Sequence, residues 1–423
     1  MIFTVRPAKF LRGSVSLPSS KSYSIRAFLI AACGGVSRII NPSDCDDAKI
    51  AITVSRKLGA AVGSRKNIWN IKASKKKISS SVINVGESGT VLRFVLPLLA
   101  LKARKAKVLG EGTLRGRPNF ILTATLRRMG VHIQGQGKKE SVPIVLKGGK
   151  PKSGDIRIDG SLSSQFISAL LTALPQLPGN SRLHVQGKIV SASYITMTRQ
   201  ILKKAGIRIG QKGKTFLING NQKFRGLKNF TVPSDYGLAA FFLVAACLVK
   251  SRVVLKGFLS DDFLQADGQI LDLLKRMGAR FRKTKKAIFI NGPQRLKGGN
   301  FSLKDCPDLV PIMAVAALFA KGKTRLYDIG HVRAKESDRI SDLASELLKA
   351  GADIREKKDE LIIYPQDRYR QNISFDPHHD HRLAMAFAVL GLKIGAKIKD
   401  IECTGKSYPK FVRDFKKIVP EDF

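Results

Sequence analysis

The sequence is short of acidic residues, cysteines and long hydrophobic stretches. Its 423 residues include 32 aspartates and glutamates against 75 lysines and arginines, a formal net charge of +43. The five cysteines form no CxxC pair and no even disulfide set, which favours a reducing, cytoplasmic location. The longest apolar runs, 238–249 and 309–320, have 12 residues each. A bilayer requires about 20, so both runs predict buried helices and no membrane partner is expected.

An excess of positive charge is typical of nucleic-acid-binding proteins. Here the cations are spread along the whole chain, and the densest runs, 75–77, 283–286 and 357–358, lack the interleaved aromatic residues that stack on bases. The distribution predicts solvated basic faces that attract small anions, and no specific nucleic-acid partner. A non-catalytic, basic nucleic-acid-binding protein remains the alternative from a different functional class.

A unit containing a short basic strand recurs six times at intervals of 69 to 75 residues. The six strands begin at Ser37, Ala106, Ser181, Ser251, Thr324 and Ala396. A second signature, in phase with the first, is a glycine after an apolar helical run, at Gly59, Gly130, Gly206, Gly278 and Gly351. Glycine often ends a helix because it adopts the left-handed conformation without steric cost. A mixed α/β unit of about 70 residues is too long for a solenoid repeat, so we expect two domains of three units each.

Loops before apolar helical runs carry the polar residues of the first half. In residues 18–26, Lys21, Ser22 and Arg26 can converge on a phosphate or carboxylate at a helix start, although a serine-rich helix cap would have the same composition. Gly89 would let backbone amides approach a ligand. Arg117 precedes a proline that fixes it in an extended backbone, as suits an anion-binding arginine or an ordinary surface turn.

Two serine clusters in the third unit add neutral hydrogen-bonding groups. They contain Ser163, Ser164 and Gln165, and then Ser191 and Tyr194. Such groups bind hydroxyls and phosphate oxygens without adding charge, and serines also cap helices.

The second half supplies ionisable groups at close spacing. Asp308 follows a proline, and Lys335, Glu336 and Arg339 form a charged run in which positions 335 and 339 would share a helical face. That run predicts a second anion clamp, with a salt-bridged surface helix as the alternative.

The segment 378–382 holds His381 and Arg382, and Lys406 follows later in the chain. The histidines lack the i, i+4 spacing of a helical zinc site and have no cysteine nearby, which argues against a metal.

Together these segments resemble the 5-enolpyruvylshikimate-3-phosphate (EPSP) synthase family over essentially the whole chain. The matching pieces are SKSYSIR, GESGTVLRF, RGRP, GSLSSQF, SASY, VPSDYGLAAFFL, CPDLVPIMAVAALFAKG, RAKESDR, DHRLAMA and CTGKSYP, in the family's order. The related UDP-N-acetylglucosamine enolpyruvyl transferase is the alternative. That enzyme would have a lysine–asparagine pair where this chain has Lys21 and Ser22, and a loop cysteine near Arg117.

The resemblance implies transfer of the enolpyruvyl group from phosphoenolpyruvate to the 5-hydroxyl of shikimate 3-phosphate, in the shikimate pathway to chorismate and aromatic amino acids. It implies no metal or organic cofactor, and we expect a monomer. The fold implied is an inside-out α/β barrel of two domains, each with three βαβαββ units. Crossovers near Ser19 and Pro233 would separate a domain of residues 19–232 from one made of 1–18 and 233–423.

The resemblance also implies roles for individual residues. Shikimate 3-phosphate would be bound by Lys21, Ser22, Arg26, Ser163, Ser164, Gln165, Ser191, Tyr194, Asp308 and Lys335. Phosphoenolpyruvate would be bound by Lys21, Gly89, Arg117, Gln165, Arg339, Arg382 and Lys406. The catalytic set would be Asp308, Glu336, Lys21 and Lys406, with His381 and Glu87 as auxiliary residues. Glu87 departs from the family's frequent asparagine and adds a negative charge.

Overall fold

The structure is a computed structural model that describes residues 1–74 and 78–419. The lysine run at 75–77 lies outside the described residues. The described residues form helices and small sheets in alternation, as the mixed α/β prediction requires.

The strands are short and occur along the whole chain. They are Phe3–Val5 (β1), Leu11–Ser16 (β2), Val36–Ile40 (β3), Ala61–Arg65 (β4), Ile68–Lys72 (β5), Ile78–Asn84 (β6), Ala103–Leu109 (β7), Val131–Gln136 (β8), Ser141–Gly149 (β9), Asp155–Asp159 (β10), Ser181–Gln186 (β11), Ile209–Lys212 (β12), Thr215–Ile218 (β13), Phe230–Thr231 (β14), Ser251–Lys256 (β15), Phe281–Lys283 (β16), Ala287–Gly292 (β17), Asn300–Ser302 (β18), Thr324–Tyr327 (β19), Asp353–Glu356 (β20), Glu360–Tyr364 (β21), Ile373–Phe375 (β22) and Ala396–Ile398 (β23). The six basic segments predicted as strands correspond to β3, β7, β11, β15, β19 and β23.

The α-helices alternate with these strands. They are Lys21–Ala31 (α1), Asp46–Lys57 (α2), Gly89–Lys102 (α3), Phe120–Arg128 (α4), Ser164–Ala173 (α5), Ala192–Lys204 (α6), Tyr236–Leu248 (α7), Ile270–Arg276 (α8), Val310–Leu318 (α9), Ser341–Lys349 (α10), His381–Ile394 (α11) and Phe411–Lys416 (α12). Five of them, α2, α4, α6, α8 and α10, end two residues before the predicted glycines. Those glycines have φ angles between 80° and 95°, so the prediction of left-handed helix ends is confirmed.

The sheets repeat one topology. In each four-stranded sheet the basic strand pairs in parallel with one neighbour and antiparallel with the other; β7, for example, lies between β6 and β9. The sixth sheet has three strands, in which β23 is parallel to β22 and antiparallel to β1. The repeat read from the sequence is therefore a repeat of sheet topology.

The chain forms two compact units. The N-terminal unit is Ser20–Val232, and the C-terminal unit combines Met1–Ser19 with Pro233–Phe423. The first two strands belong to the C-terminal unit because β1 pairs with β23 and β2 pairs with β15.

Apolar helices fill the interior of each unit, and the sheets cover them. Every residue of α7 and α9 is buried, and these helices pack against α11 in the C-terminal unit. Helices α1, α3 and α5 have the same position in the N-terminal unit. Strand residues alternate between buried and exposed, as in β11 and β15, so each sheet has one face on this core. No helix in the described part of the chain is long and apolar enough to cross a membrane.

Candidate active site

In the N-terminal unit, the predicted polar loops lie at the N-terminal ends of helices. Helices α1, α3, α5 and α6 are preceded by Ser20, Ser88, Ser163 and Ser191, respectively. Ser88 Oγ accepts from the Val91 amide at 3.4 Å, and Ser163 Oγ accepts from the Gln165 amide at 3.3 Å. Helix N-termini carry partial positive charge and unused amides, so four ends of this kind favour anion binding.

Arg26 is buried inside this group of helix ends, with 1% of its surface exposed. Its Nε donates to Thr198 Oγ1 at 2.9 Å and its Nη1 donates to the Ser22 carbonyl at 3.0 Å. The guanidinium lies 5.3 Å from the ring centre of Phe94 and 5.6 Å from that of Tyr194. Burial lowers the pKa of Arg26 to about 10, which leaves it charged at neutral pH. The structure thus brings Ser22, Arg26 and Tyr194 together.

Lys21, the first residue of α1, has a partner that sequence reasoning missed. Its Nζ lies 3.1 Å from Asp47 Oδ2, and both side chains are mostly buried. Asp47 is in the first turn of α2, where acidic residues are common. Its position in the sequence therefore gave no sign that it belongs to a site.

Arg93 organises the serine and glutamine cluster. It donates to Gln165 Oε1 at 2.6 Å and to Ser163 Oγ at 3.4 Å, and it lies 4.9 Å from the centre of the Phe166 ring. Gln165 Nε2 donates in turn to Thr90 Oγ1 at 2.9 Å. Arg93, which the predicted site did not include, is therefore the cation that orients these neutral ligand-binding candidates.

Gly89 and Arg117 are neighbours although 28 positions separate them in the sequence. A Cβ atom added to Gly89 would lie 2.8 Å from Arg117 Nη1, so only glycine lets the guanidinium approach the start of α3. Arg117 is 5% exposed. Glu87 accepts a hydrogen bond from Thr113 Oγ1 at 3.4 Å. Glycine, arginine and helix end therefore form one small cationic corner.

Ser191 has a backbone conformation that is rare for its residue type. Its φ of 54° and ψ of 41° are left-handed, and its side chain is nearly buried at 5% exposure. Non-glycine residues with such angles cluster at functional sites, where the surrounding structure maintains them.

In the C-terminal unit, ionisable residues form what we call the Asp308 cluster: Asp308, Glu336, Arg339, Asp380 and Arg382. Arg339 Nη1 donates to Asp308 Oδ1 at 2.8 Å, and Arg382 Nη2 donates to Asp308 Oδ2 at 3.0 Å. Lys335 Nζ lies 3.8 Å from Asp308 Oδ1. Burial alone would raise the pKa of Asp308, but Arg382, Lys335 and Arg339 hold it well below its usual range.

Arg339 is the centre of the cluster and contacts three carboxylates. Besides Asp308, its Nε and Nη2 donate to Asp380 at 2.6 and 3.2 Å, and Nη2 donates to Glu336 Oε2 at 3.0 Å. Burial opposes its charge, but Asp380, Asp308 and Glu336 raise the pKa of Arg339 well above its ordinary value. Asp380, which is fully buried, was absent from the predicted site. Its position just before α11 was the available signal, because aspartate is a preferred N-cap.

Arg382 is 3% exposed. Burial opposes its charge, but Asp308, Asp267 and Asp235 raise the pKa of Arg382 above its ordinary value. Only its Nη2 forms a hydrogen bond to a side chain; its buried Nε and Nη1 have no hydrogen-bond acceptor among residues 1–74 and 78–419. Buried donors are almost always paired in proteins, so these two donors make Arg382 a candidate ligand-binding residue.

The prediction that Lys335 and Arg339 share a helical face is wrong. Residues 335–340 are a non-helical loop, and α10 begins only at Ser341. Arg333 fixes the loop by donating to both oxygens of Asp338, at 3.0 and 2.9 Å. Lys335 and Arg339 nevertheless converge, because both reach Asp308 from this loop, and the anion clamp stays a prediction.

Lys406 and His381 lie beside the cluster. Lys406 Nζ is 3.9 Å from Glu336 Oε1, and the two side chains are 9% and 8% exposed. His381 Nδ1 is 4.0 Å from Asp380 Oδ1. All predicted residues of the second half therefore lie close together in the C-terminal unit.

Comparisons with known proteins agree with this arrangement. Residues 5–415 match the family model of EPSP synthase (3-phosphoshikimate 1-carboxyvinyltransferase). A 3-phosphoshikimate 1-carboxyvinyltransferase from Methanocaldococcus jannaschii is 35% identical over 417 residues, which cover 97% of this chain and 96% of the relative. The enzyme of that name from Methanosarcina mazei is 36% identical over 417 residues, 96% of each chain.

Solved structures extend the comparison. An EPSP synthase from Acinetobacter baumannii has a TM-score of 0.78 at 26% identity, covering 99% of this chain and 98% of that one. An enolpyruvyl transferase from Streptomyces tendae, with a TM-score of 0.77 and 17% identity, covers 99% and 97% and shares the fold. The fold is thus that of the enolpyruvyl transferases. Within that class, the chain belongs to the EPSP synthase family.

Proposed function

We propose that this chain transfers the enolpyruvyl group of phosphoenolpyruvate to the 5-hydroxyl of shikimate 3-phosphate and releases phosphate. Membership of the EPSP synthase family supports the reaction. The observation that carries it is the buried guanidinium of Arg382, whose Nε and Nη1 find no acceptor within the described residues. An unsatisfied buried donor costs about 1–3 kcal/mol, which a phosphate or carboxylate oxygen of the substrate would recover.

The proposed division of residues follows their chemistry. Arginines and lysines present several donors to one anion, as two phosphorylated, acidic substrates require. The phosphoenolpyruvate ligands are Lys21, Gly89, Arg117, Gln165, Arg339, Arg382 and Lys406. The shikimate 3-phosphate ligands are Lys21, Ser22, Arg26, Ser163, Ser164, Gln165, Ser191, Tyr194, Asp308 and Lys335.

Protons move in both steps of the reaction, addition and elimination. The 5-hydroxyl oxygen bonds to C2 of phosphoenolpyruvate while its proton leaves and C3 gains one. The C2–O bond to phosphate then breaks as C3 loses a proton. Asp308 and Glu336 are the proposed proton acceptors, and Lys21 and Lys406 the proposed acids that also stabilise developing negative charge. Their burial supports this assignment, since charges act more strongly where water is scarce.

We propose that substrate binding itself prepares Asp308 as a base. In the free protein the pKa of Asp308 is well below its usual range because Arg382, Lys335 and Arg339 outweigh burial. Two of these cations, Arg339 and Arg382, are proposed phosphoenolpyruvate ligands. When they also hold the substrate anion, their pull on Asp308 weakens and its pKa rises. We therefore expect the acid limb of the pH profile at a higher pH for kcat than for kcat/KM; coincident limbs would contradict the coupling.

The decisive experiment measures phosphate release from phosphoenolpyruvate with shikimate 3-phosphate, with UDP-N-acetylglucosamine and with no acceptor. We expect release only with shikimate 3-phosphate. Asp308→Ala should abolish it, whereas the matched variant Asp305→Ala, three positions away, should retain it. Release with the nucleotide sugar would reassign the chain to the sister reaction, and absence of release with every acceptor would overturn an enzymatic role.

Two further proposals concern the whole molecule. We propose that residues 19–232 and 1–18 with 233–423 are its domains, and that it acts as a cytoplasmic monomer. Size-exclusion chromatography with light scattering tests the oligomeric state, and a stable dimer at micromolar concentration would contradict it.

A further inference from the structure

A second cationic region lies in the C-terminal unit, across the β16–β17 hairpin. We call it the basic groove. It is an open depression of about 880 Å³, lined by four cations and two aromatic rings: Arg280, Arg282, Arg295, Lys297, Phe281 and Phe289. None of its lining residues belongs to the Asp308 cluster, and the proposed reaction makes no use of them.

The four cations of the groove have the same surroundings. All are exposed, and within residues 1–74 and 78–419 none of their charged groups pairs with a carboxylate. Neighbouring Lys283 does have such a partner, since its Nζ lies 2.6 Å from Asp261 Oδ1. Acidic residues are therefore present near the hairpin but are not used inside the groove. Four uncompensated cations around one concavity produce a focused positive potential.

The groove walls are held in place by the protein itself. Gln294 Oε1 accepts from the Arg280 amide at 2.6 Å, and Gln294 Nε2 donates to the Arg280 carbonyl at 2.7 Å. This amide joins the loop before β16 to the loop after β17, so Arg280 and Arg295 are carried on connected backbones. A preformed site loses less entropy when it binds a ligand.

The floor of the groove offers a flat surface beside these charges. Arg282 is directly opposite Phe289 in the antiparallel pair, and its guanidinium lies 4.0 Å from the ring centre. The same sheet face continues through Asn291, opposite Arg252, to Arg12 on β2. Stacked guanidinium and aromatic planes are surfaces on which nucleobases pack.

We propose that the basic groove binds a chain of phosphate groups attached to a base, that is, a nucleoside polyphosphate. Arg280, Arg295 and Lys297 contact the phosphates, and the Arg282–Phe289 pair contacts the base. An arginine guanidinium can donate to two phosphate oxygens at once. The volume of the groove is within the range of about 300–1,000 Å³ typical of small-ligand sites. The inference does not depend on the proposed reaction.

The test titrates ATP, inorganic tripolyphosphate and a single-stranded oligonucleotide into the protein by calorimetry. Saturating shikimate 3-phosphate is present, so that its proposed ligands are occupied, and the groove variants distinguish binding in the groove from binding at the proposed phosphoenolpyruvate ligands. Arg280→Gln/Arg295→Gln should weaken ATP and tripolyphosphate binding at least about tenfold, because two charge-assisted contacts are lost. The matched control is Arg368→Gln/Arg370→Gln, which removes the same charge from two exposed arginines outside the groove. This control should change neither affinity more than about twofold, the range of ordinary surface substitutions.

Phe289→Ala separates the nucleoside from the phosphate chain. It should weaken ATP binding and leave tripolyphosphate binding unchanged, since only the base contacts the ring. Retained phosphate release by every variant shows that it is folded. Absence of ATP binding, equal weakening by the control pair, or binding of the oligonucleotide alone would each overturn the proposal.

Discussion

The two units differ in the chemistry of their candidate site residues. In the N-terminal unit, the helix ends are capped by serines, as at Ser88 and Ser163, and the cations Arg26 and Arg93 donate to neutral oxygens. In the C-terminal unit, α7 and α11 are capped by Asp235 and Asp380, and Asp380 is bound to the guanidinium of Arg339. One unit presents hydroxyls, helix dipoles and cations with neutral hydrogen-bond partners, and the other presents a buried network of ion pairs.

The difference shows how one fold can separate two tasks. Neutral groups hold a ligand without changing the pKa of their neighbours, and their hydrogen bonds contribute about 0.5–1.5 kcal/mol each. Coupled carboxylates and guanidiniums set each other's pKa, as they do for Asp308 and Arg339. We therefore expect substitutions in the N-terminal unit to change affinity modestly, and substitutions in the C-terminal unit to change chemistry and stability strongly.

The largest effect is expected for Arg382→Lys. Lysine keeps the charge but cannot supply the Nε and Nη1 donors of the buried guanidinium. Losing two charged hydrogen bonds should lower kcat/KM for phosphoenolpyruvate about 100-fold or more. Arg413→Lys is the control, since Arg413 is largely exposed and bonds only to the adjacent Asp414 among the described residues. An unchanged kcat/KM in Arg382→Lys would remove Arg382 from the substrate site.

A comparison of two helix caps tests stability directly. Asp380→Asn weakens the partner of buried Arg339 and should lower the free energy of unfolding by about 3 kcal/mol. Ser163→Ala removes a neutral cap and a long hydrogen bond from Arg93, and should cost about 1 kcal/mol. Urea denaturation at neutral pH measures both values. Equal losses would show that the ion network adds nothing beyond capping.

The glycine corner of the N-terminal unit should respond less strongly. In Gly89→Ala the new Cβ would lie 2.8 Å from Arg117 Nη1, so the guanidinium must move. We expect KM for phosphoenolpyruvate to rise about tenfold, equivalent to one lost hydrogen bond to a charged group, while KM for shikimate 3-phosphate changes little. Gly116→Ala is the control because a Cβ there meets no atom within 4 Å. If both variants behave alike, the close approach to Arg117 is unimportant.

Repetition made most of the fold predictable. The six basic strands and the five glycine helix ends depend on local preferences, namely alternating burial and left-handed backbone, and each recurs often enough to be recognised. The wrong helix at 335–339 shows the limit of that approach. Its charge spacing fits a helix, but Arg333 fixes the segment as a loop through Asp338, a contact with no periodic signature.

Site residues with matching family motifs were recognisable, whereas their supporting partners were not. Asp47 contacts Lys21, and Arg93 contacts Gln165. Each pair is far apart in the sequence and comes together only in the folded chain. Such partners are ordinary helix residues when read alone. The groove arginines were hidden for another reason: a chain with a net charge of +43 gives no compositional sign of which cations share a concavity.

The smallest effect is expected at Ser164, a neutral residue of the N-terminal unit. Ser164 is the first residue of α5 and is 3% exposed, and Ser164→Ala should remove one uncharged hydrogen bond to shikimate 3-phosphate. KM for that substrate should rise about 3- to 10-fold with kcat nearly unchanged. Ser168→Ala, one turn further along the same buried helix, should leave KM unaltered. Because no charge is removed, the KM of Ser164→Ala divided by the KM of the unmodified protein should be the same at low and high salt. A ratio that falls with salt would mean that Ser164 acts through a nearby charge, and the N-terminal unit would then resemble the C-terminal one.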